Sequence, residues 1–299
     1  MGLFDSIKAR LGSGASAAKA TSRINVEARF ERMRTSAIGT MSSFFVARDR
    51  EQDRIVGVKL LDIEKMELFE SRFKRLNKPS EGEIAMGMSH AHIVKTYEAG
   101  LTTKGQPILV MEYIEGPSLQ HIIVKKQESL VEGRRLMLIR EMGEALKYVH
   151  SRGFIHRDIC PRNYICLPDI SGVKLIDFGL TIPATPPFMA PGNRTGTPLY
   201  MSPEIVRRRH TDQRVDIFSF GITCYCLCSF KHPWQGDEVN GRAALYHDTS
   251  PPKDLLQYCP NIDPKLARAI MAALQPKVEE RTPTMDQFLQ SIRMIKGEY

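Results

Sequence analysis

Between His156 and Gly179 the chain concentrates hard-oxygen donors. The run His156-Arg157-Asp158-Ile159-Cys160-Pro161-Arg162-Asn163 leads into Tyr164-Ile165-Cys166-Leu167, a turn from Pro168 to Gly172, and Val173-Lys174-Leu175-Ile176, which ends in Asp177-Phe178-Gly179. Two short β-branched stretches joined by a Pro/Asp/Ser/Gly turn predict a hairpin, and a hairpin brings its two ends together. Asp158, Asn163 and Asp177 are therefore expected side by side. Two carboxylates and an amide with an arginine beside them suit Mg²⁺ and phosphate oxygens, because Mg²⁺ takes hard oxygen ligands and shares its shell between one or two carboxylates and a substrate's phosphates.

These residues must be carried by a sizeable scaffold. The chain has 299 residues, 42% apolar and 25% charged, which predicts an ordinary globular protein rather than a fibrous or disordered one. Its formal charge of +8 favours acidic partners in general and says nothing of fold. The six cysteines, three of them at Cys224, Cys226 and Cys228, follow neither a disulfide framework nor a zinc spacing, so they read as small buried apolar residues in a reducing cytoplasm. No apolar run approaches the roughly 20 residues of a spanning helix.

Residues 1–29 are small, polar and basic, and read as a flexible tether. Within them Leu3, Phe4, Ile7 and Leu11 fall at helical spacing opposite Lys8 and Arg10. The first eleven residues are thus expected to touch a membrane surface or a partner's groove, and the start also fits a Met-Gly-x-x-x-Ser lipidation pattern. From Phe30 to about Glu115 the pattern is strand-rich, with Ile55 to Lys59 an alternating strand and a helix expected between Pro79 and Met88, weakened by Gly82 and Gly87. Beyond Gly116 the period changes to about 3.6. A long helix is expected from Val131 to Ser151, with Leu136, Ile139, Met142, Leu146 and Val149 facing the core. A Pro/Thr/Gly-rich loop follows the hairpin from Leu180 to Thr197.

The stretch from His156 to Gly179 resembles the catalytic loop and Asp-Phe-Gly segment of protein kinases. The resemblance extends along the chain. Lys59 after Ile55-Val56-Gly57-Val58 resembles the Val-Ala-Ile-Lys lysine. Glu81, nine residues before His90-Ala91-His92-Ile93-Val94, resembles its ion-pair partner, with Glu83 as the alternative. Glu112-Tyr113-Ile114-Glu115-Gly116 resembles the hinge, and Gly196-Thr197-Pro198-Leu199-Tyr200-Met201-Ser202-Pro203-Glu204 resembles the end of an activation loop. Arg281 stands where the family pairs an arginine with that glutamate. Together these imply a two-lobed α+β fold, a small antiparallel β lobe with one helix (30–111), a hinge (112–116) and a larger helical lobe (117–296).

The resemblance also implies chemistry: transfer of the γ-phosphoryl group of ATP to a Ser/Thr hydroxyl of a protein, as in serine/threonine protein kinases, a bacterial one being the variant suggested, with nucleic acid not a partner. Asp158 would orient the hydroxyl and accept its proton, Asn163 and Asp177 would hold Mg²⁺, and Lys59 fixed by Glu81 would grip the α- and β-phosphates. Ala37, Ile38, Gly39 and Ser42 would cover the phosphates, and the backbone of Glu112 and Ile114 would meet adenine. Arg157 suggests control by a phosphorylated residue of the activation loop, with Thr185, Thr195 and Thr197 as the regulatory positions and His156 a packed imidazole without chemistry. The glycine loop departs from the family pattern, retaining Gly39 alone of three glycines, and Cys160 stands where a phosphate-gripping lysine is usual, so Arg162 is expected to supply that charge. The alternative to an enzyme is a pseudokinase acting as a binding or scaffolding module. The expected location is the cytoplasm, with residues 1–11 as a peripheral contact.

Overall fold

In a computed structural model of the chain, the described residues are 23–38, 42–73, 75–234 and 243–297. Residues 1–11 and Gly39, singled out above, lie outside them. The chain divides into two compact units: the described residues up to Ser71 with Gly82–Ser89 and Lys95–Tyr113 form one, and Arg72–Glu81, His90–Val94 and the chain from Ile114 form the other.

The first unit opens with a one-turn helix, α1 (Val26–Arg29), whose N-terminus is capped by the Asn25 side chain accepting the Ala28 N–H at 3.2 Å. Strands β1 (Phe30–Ile38), β2 (Ser42–Asp49) and β3 (Arg54–Leu61) follow, then helix α2 (Ile63–Glu70), helix α3 (Glu81–Met86), whose residues from Gly82 belong to this unit, and strands β4 (Thr96–Leu101) and β5 (Pro107–Glu112). The strands form an antiparallel sheet in the order β1-β2-β3-β5-β4. Phe45 and Ala47 of β2, Val56 and Val58 of β3, and Ile108 and Val110 of β5 share one buried cluster. Period-two alternation puts them on one face, and each of the phenylalanine, valine and isoleucine side chains stabilises the unit by about 1.5–3 kcal/mol on burial.

Three expectations need correction here. The tether ends before Arg29, because Ile24 is buried in the same cluster and exchanges backbone bonds with Leu101 (2.8 Å) and Thr103 (3.0 Å). Arg29 itself bridges Asp49 and Glu98 at 2.9 and 2.8 Å. An apolar side chain and a paired guanidinium outweigh the polar composition that suggested a loose segment. The single helix expected in this region is two short ones, and α3 is shorter than the span from Pro79 to Met88, ending at Met86 just before Gly87.

The second unit is mostly helical. Helix α4 (Leu119–Val124) is capped by Ser118, α5 (Glu128–Val131) is a single turn, and α6 (Arg135–Ser151) is the long helix expected from periodicity. It starts four residues later than expected because Gly133 takes a left-handed φ of +74° and breaks the path. Its stripe of Leu136, Ile139, Met142, Leu146 and Val149 is buried. Short strands β6 (Phe154–Ile155), β7 (Tyr164–Cys166), β8 (Val173–Leu175) and β9 (Ile182–Pro183) come next, then α7 (Pro186–Met189), α8 (Pro203–Val206), α9 (Arg214–Ser229), α10 (Pro264–Ala273) and α11 (Met285–Ser291). Helix α9 is enclosed on all sides, so Cys224, Cys226 and Cys228 are all buried despite facing different directions. Burial pushes the Cys228 thiol up to about 12. No helix among the described residues is long and apolar enough to cross a membrane.

Candidate active site

The predicted hairpin is present: β7 and β8 pair antiparallel with Tyr164 opposite Leu175 and Cys166 opposite Val173. The Ile176 N–H closes its mouth on the Asn163 carbonyl at 2.8 Å, which brings the end of the His156–Asn163 loop against the start of Asp177-Phe178-Gly179. The Asp158 carboxylate is the hub of this loop. Its Oδ1 accepts the Thr197 N–H at 3.0 Å and the Thr197 hydroxyl at 2.6 Å. Its Oδ2 accepts Arg162 at 2.8 Å and the Asn163 amide at 3.0 Å. Four donors fix the position of a carboxylate only 8% exposed.

The loop backbone is suspended from one buried acid. Asp216, in the first turn of α9 and fully buried, accepts the N–H groups of His156 (2.7 Å) and Arg157 (2.8 Å) and meets His150 Nε2 at 2.9 Å. These bonds hold Arg157 at φ +67°, a left-handed conformation that costs a non-glycine residue of order 1–3 kcal/mol. Asp177 carries a second such φ, +69°, and its Oδ1 accepts the Gly179 N–H at 2.9 Å. His156 is a packed imidazole, as expected: it is buried, its ring lies 5.4 Å from that of Phe178, and burial lowers its pKa.

Asn163 donates its amide nitrogen to the Asp158 carbonyl (2.7 Å) and carboxylate, so Oδ1 is the atom it can offer to a cation. Asp177 supplies a carboxylate, and Gly179 sits between Asp177 and Glu81: a Cβ there would lie 3.2 Å from Asp177 Oδ1 and 3.2 Å from Glu81 Oε2. Among the described residues no three His, Cys, Asp or Glu are grouped to hold a metal alone. One amide oxygen and one carboxylate suit Mg²⁺ that completes its shell with phosphate oxygens.

In the first unit, Lys59 is 7% exposed on β3, opposite Phe44 of β2 and Leu109 of β5. Ala37 and Ile38 end β1, and Ser42 opens β2. Glu112 ends β5, its N–H spent on the Lys95 carbonyl at 2.8 Å. Ile114 begins the second unit.

The activation-loop positions separate clearly. Thr185 is buried, and its hydroxyl has no hydrogen-bond partner. Thr197 belongs to the Asp158 cluster. Thr195 is half-buried and donates to Asn193 Oδ1 at 3.4 Å. Asn193 links two arginines, since its carbonyl accepts Arg157 Nη2 at 3.0 Å and its Oδ1 accepts Arg72 at 3.3 Å. Burial and, more weakly, the nearby Arg72 press the Arg157 pKa down to about 10. Arg157 Nε and Asn193 Nδ2 are buried donors without acceptors. Cys160 is a buried thiol, pushed up to about 12, with the Thr197 hydroxyl 3.7 Å from its sulfur.

The Glu204–Arg281 pair expected from sequence is present and bidentate, at 2.7 and 3.1 Å. Arg281 is 1% exposed and also donates to the carbonyls of Gln275, Arg214 and Pro276. Sequence reading gave no role to Asp216, which it placed by resemblance at the start of the large buried helix, and did not single out Arg72 or Asn193. For Asp216 a signal existed, an acid opening an otherwise apolar helix, because a buried carboxylate requires donors. For the other two there was none.

A family model described as the protein kinase domain matches residues 30–292. The chain belongs to the protein kinase family. Within the family it is 28% identical over 271 residues to the serine/threonine-protein kinase pkn3 of Myxococcus xanthus, covering 87% of this chain and 48% of that one. It is 30% identical over 283 residues to PknB of Mycolicibacterium smegmatis, covering 90% and 43%. A probable serine/threonine-protein kinase PknB of Corynebacterium glutamicum is 31% identical over 239 residues, covering 76% and 36%. The chain therefore spans less than half the length of these curated relatives.

Proposed function

We propose that this kinase-family chain transfers the γ-phosphoryl group of ATP to a serine or threonine hydroxyl of a protein. The observation that carries this reading is the Asp158 carboxylate, oriented by donors from Thr197, Arg162 and Asn163. A carboxylate so placed orients an incoming hydroxyl and takes its proton as the oxygen attacks. The Thr197 hydroxyl, already bonded to Oδ1, presents the same group that an acceptor serine or threonine would bring. Arg162 stands beside the carboxylate and supplies the fixed positive charge that Cys160, a neutral thiol, does not. Mg²⁺, held by Asn163 Oδ1 and Asp177, would neutralise the transferred phosphate. The nucleotide contacts proposed for Ala37, Ile38, Gly39, Ser42, Lys59, Glu81, Glu112 and Ile114 belong to the same reading.

Regulation is proposed at Thr195. A phosphate there would meet the buried donors of Arg157 and Asn193 and the guanidinium of Arg72, and would relieve the repulsion between two neighbouring arginines. Thr197 is a positioning residue in this scheme, and Thr185 is sealed from a phosphate donor.

The test is incubation of the protein with Mg-ATP and dephosphorylated casein beside an Asp158→Asn variant, with phosphate located by mass spectrometry. Incorporation by the wild type alone, with the variant slower by about 10²–10⁴-fold, is expected. Absence of phosphate from both would overturn the reading in favour of a binding module.

A further inference from the structure

The segment that delivers Thr197 to Asp158 is gripped at three successive carbonyls, each by a side chain. His232 Nε2 meets the Leu199 carbonyl at 2.9 Å, the Ser219 hydroxyl donates to the Tyr200 carbonyl at 2.6 Å, and His247 Nδ1 meets the Met201 carbonyl at 2.8 Å. A carbonyl only accepts, so each imidazole must donate from the nitrogen facing it. His247 therefore carries a proton on Nδ1. His232 faces a carbonyl with each nitrogen, Leu199 from Nε2 at 2.9 Å and Trp234 from Nδ1 at 3.1 Å, and the shorter contact is the one on the segment.

The two rings are locked in an aromatic stack. His232 and His247 lie 5.8 Å apart at an interplanar angle of 26°, Trp234 is 4.4 Å from His247, and Phe218 is 5.4 Å from His247. The Trp234 indole N–H is itself tied to the Ser250 carbonyl at 2.8 Å. A ring that merely filled this space would be better apolar. His247 is fully buried, its Nε2 lacks a partner, and burial lowers its pKa to about 4. What the imidazole adds over a phenyl ring is the single N–H on Met201.

We propose that His232, Ser219 and His247 are positioning residues for the acceptor side of the reaction, setting the path of residues 197–201 and through it the hold of Thr197 on Asp158. The proposal rests on the kinase reading for its consequence, but its structural content is measurable without turnover. With Tyr200 N–H bonded back to the Thr197 carbonyl at 2.9 Å, the segment is a short 3₁₀ turn closed at one end by Asp158 and along its length by these three donors. Removal of one donor leaves a carbonyl unpaired and frees the turn.

The experiment is hydrogen–deuterium exchange on peptides covering 197–202 in the wild type, His232→Phe and His247→Phe, beside His232→Gln and His247→Asn, whose amides restore a donor near Nε2 and Nδ1 respectively. Casein phosphorylation is measured on the same samples. Exchange in 197–202 is expected to quicken about tenfold in the Phe variants, with helix α6 unchanged. The amide variants should restore most of the protection. The KM for casein should rise severalfold in the Phe variants while the KM for ATP stays put. Unchanged exchange in both Phe variants would overturn the proposal. So would a speed-up shared equally by α6, or amide variants no better than Phe. If wild type fails to phosphorylate casein while the exchange pattern holds, the kinase reading falls and the grip on the turn stands.

Discussion

Replacing Asp216 by asparagine tests the physical basis of the catalytic loop. The carboxylate accepts two backbone N–H groups at 2.7 and 2.8 Å and meets His150 at 2.9 Å while fully buried. Asparagine has nearly the same shape but only one acceptor oxygen. At least one charge-assisted bond is lost, worth about 1.5–3 kcal/mol, and an amide N–H₂ is turned toward a donor, leaving it unsatisfied at about 1–3 kcal/mol. Partial relaxation reduces the sum, so a loss of about 3–5 kcal/mol is expected. That is a large share of the 5–15 kcal/mol typical of a folded domain. Arg157 should be released from its φ of +67° in the same variant, displacing Asp158, the adjacent residue. Urea denaturation measures the first effect and casein phosphorylation below the denaturation midpoint measures the second, with turnover expected to fall by at least about tenfold. A variant within about 1 kcal/mol of wild type and equally active would refute the view that Asp216 holds the loop.

Three other outcomes are expected. His247, with its pKa lowered by burial from 6.5 to about 4, favours folding when neutral. Its contribution is complete above pH 6.5 and is lost as pH falls toward 4, about 3 kcal/mol in all, so His247→Asn should flatten the decline in urea stability between pH 7 and 4.5, and an unchanged slope would refute this. Gly57→Ala places a Cβ 2.7 Å from the Phe44 ring and should cost about 1–3 kcal/mol, which Phe44→Val should largely restore; additive losses in the double variant would show that the two do not share the space. Iodoacetamide at pH 8 should spare Cys160 in the folded protein and label it in urea, because the thiol is buried and pushed up to about 12; labelling of the folded form would contradict its assigned burial.

The hairpin from Tyr164 to Leu175 and the helical stripe of α6 were legible because both are local: periodicity and turn residues determine them within a few residues of chain. The pairing of Glu204 with Arg281, 77 residues apart, was legible only through family resemblance. Other long-range contacts left no trace. Nothing in the local sequence around His232 or His247 distinguishes a histidine that holds a carbonyl from one in solvent, and the link from Arg72 through Asn193 to Arg157 joins residues with no shared pattern. Composition also misled at Ile24–Arg29, where a small, polar and basic segment ends in apolar side chains that join the core, Ile24 and Val26, and in an arginine that the sheet requires.

That last feature bears on how the protein is handled. The family match begins at Phe30, and a chain begun there would look complete by homology. It would lack Arg29, the bidentate partner of Asp49 at 2.9 and 3.0 Å, and leave a buried carboxylate with backbone donors such as the Glu51 N–H (3.0 Å) but without its cation. Stranding one member of such a pair costs about 3–5 kcal/mol, a large share of the stability of a folded domain. The homology boundary therefore cuts inside the folded unit, which includes Ile24 and Arg29, and a loss of activity in the shorter version would report on folding rather than on catalysis.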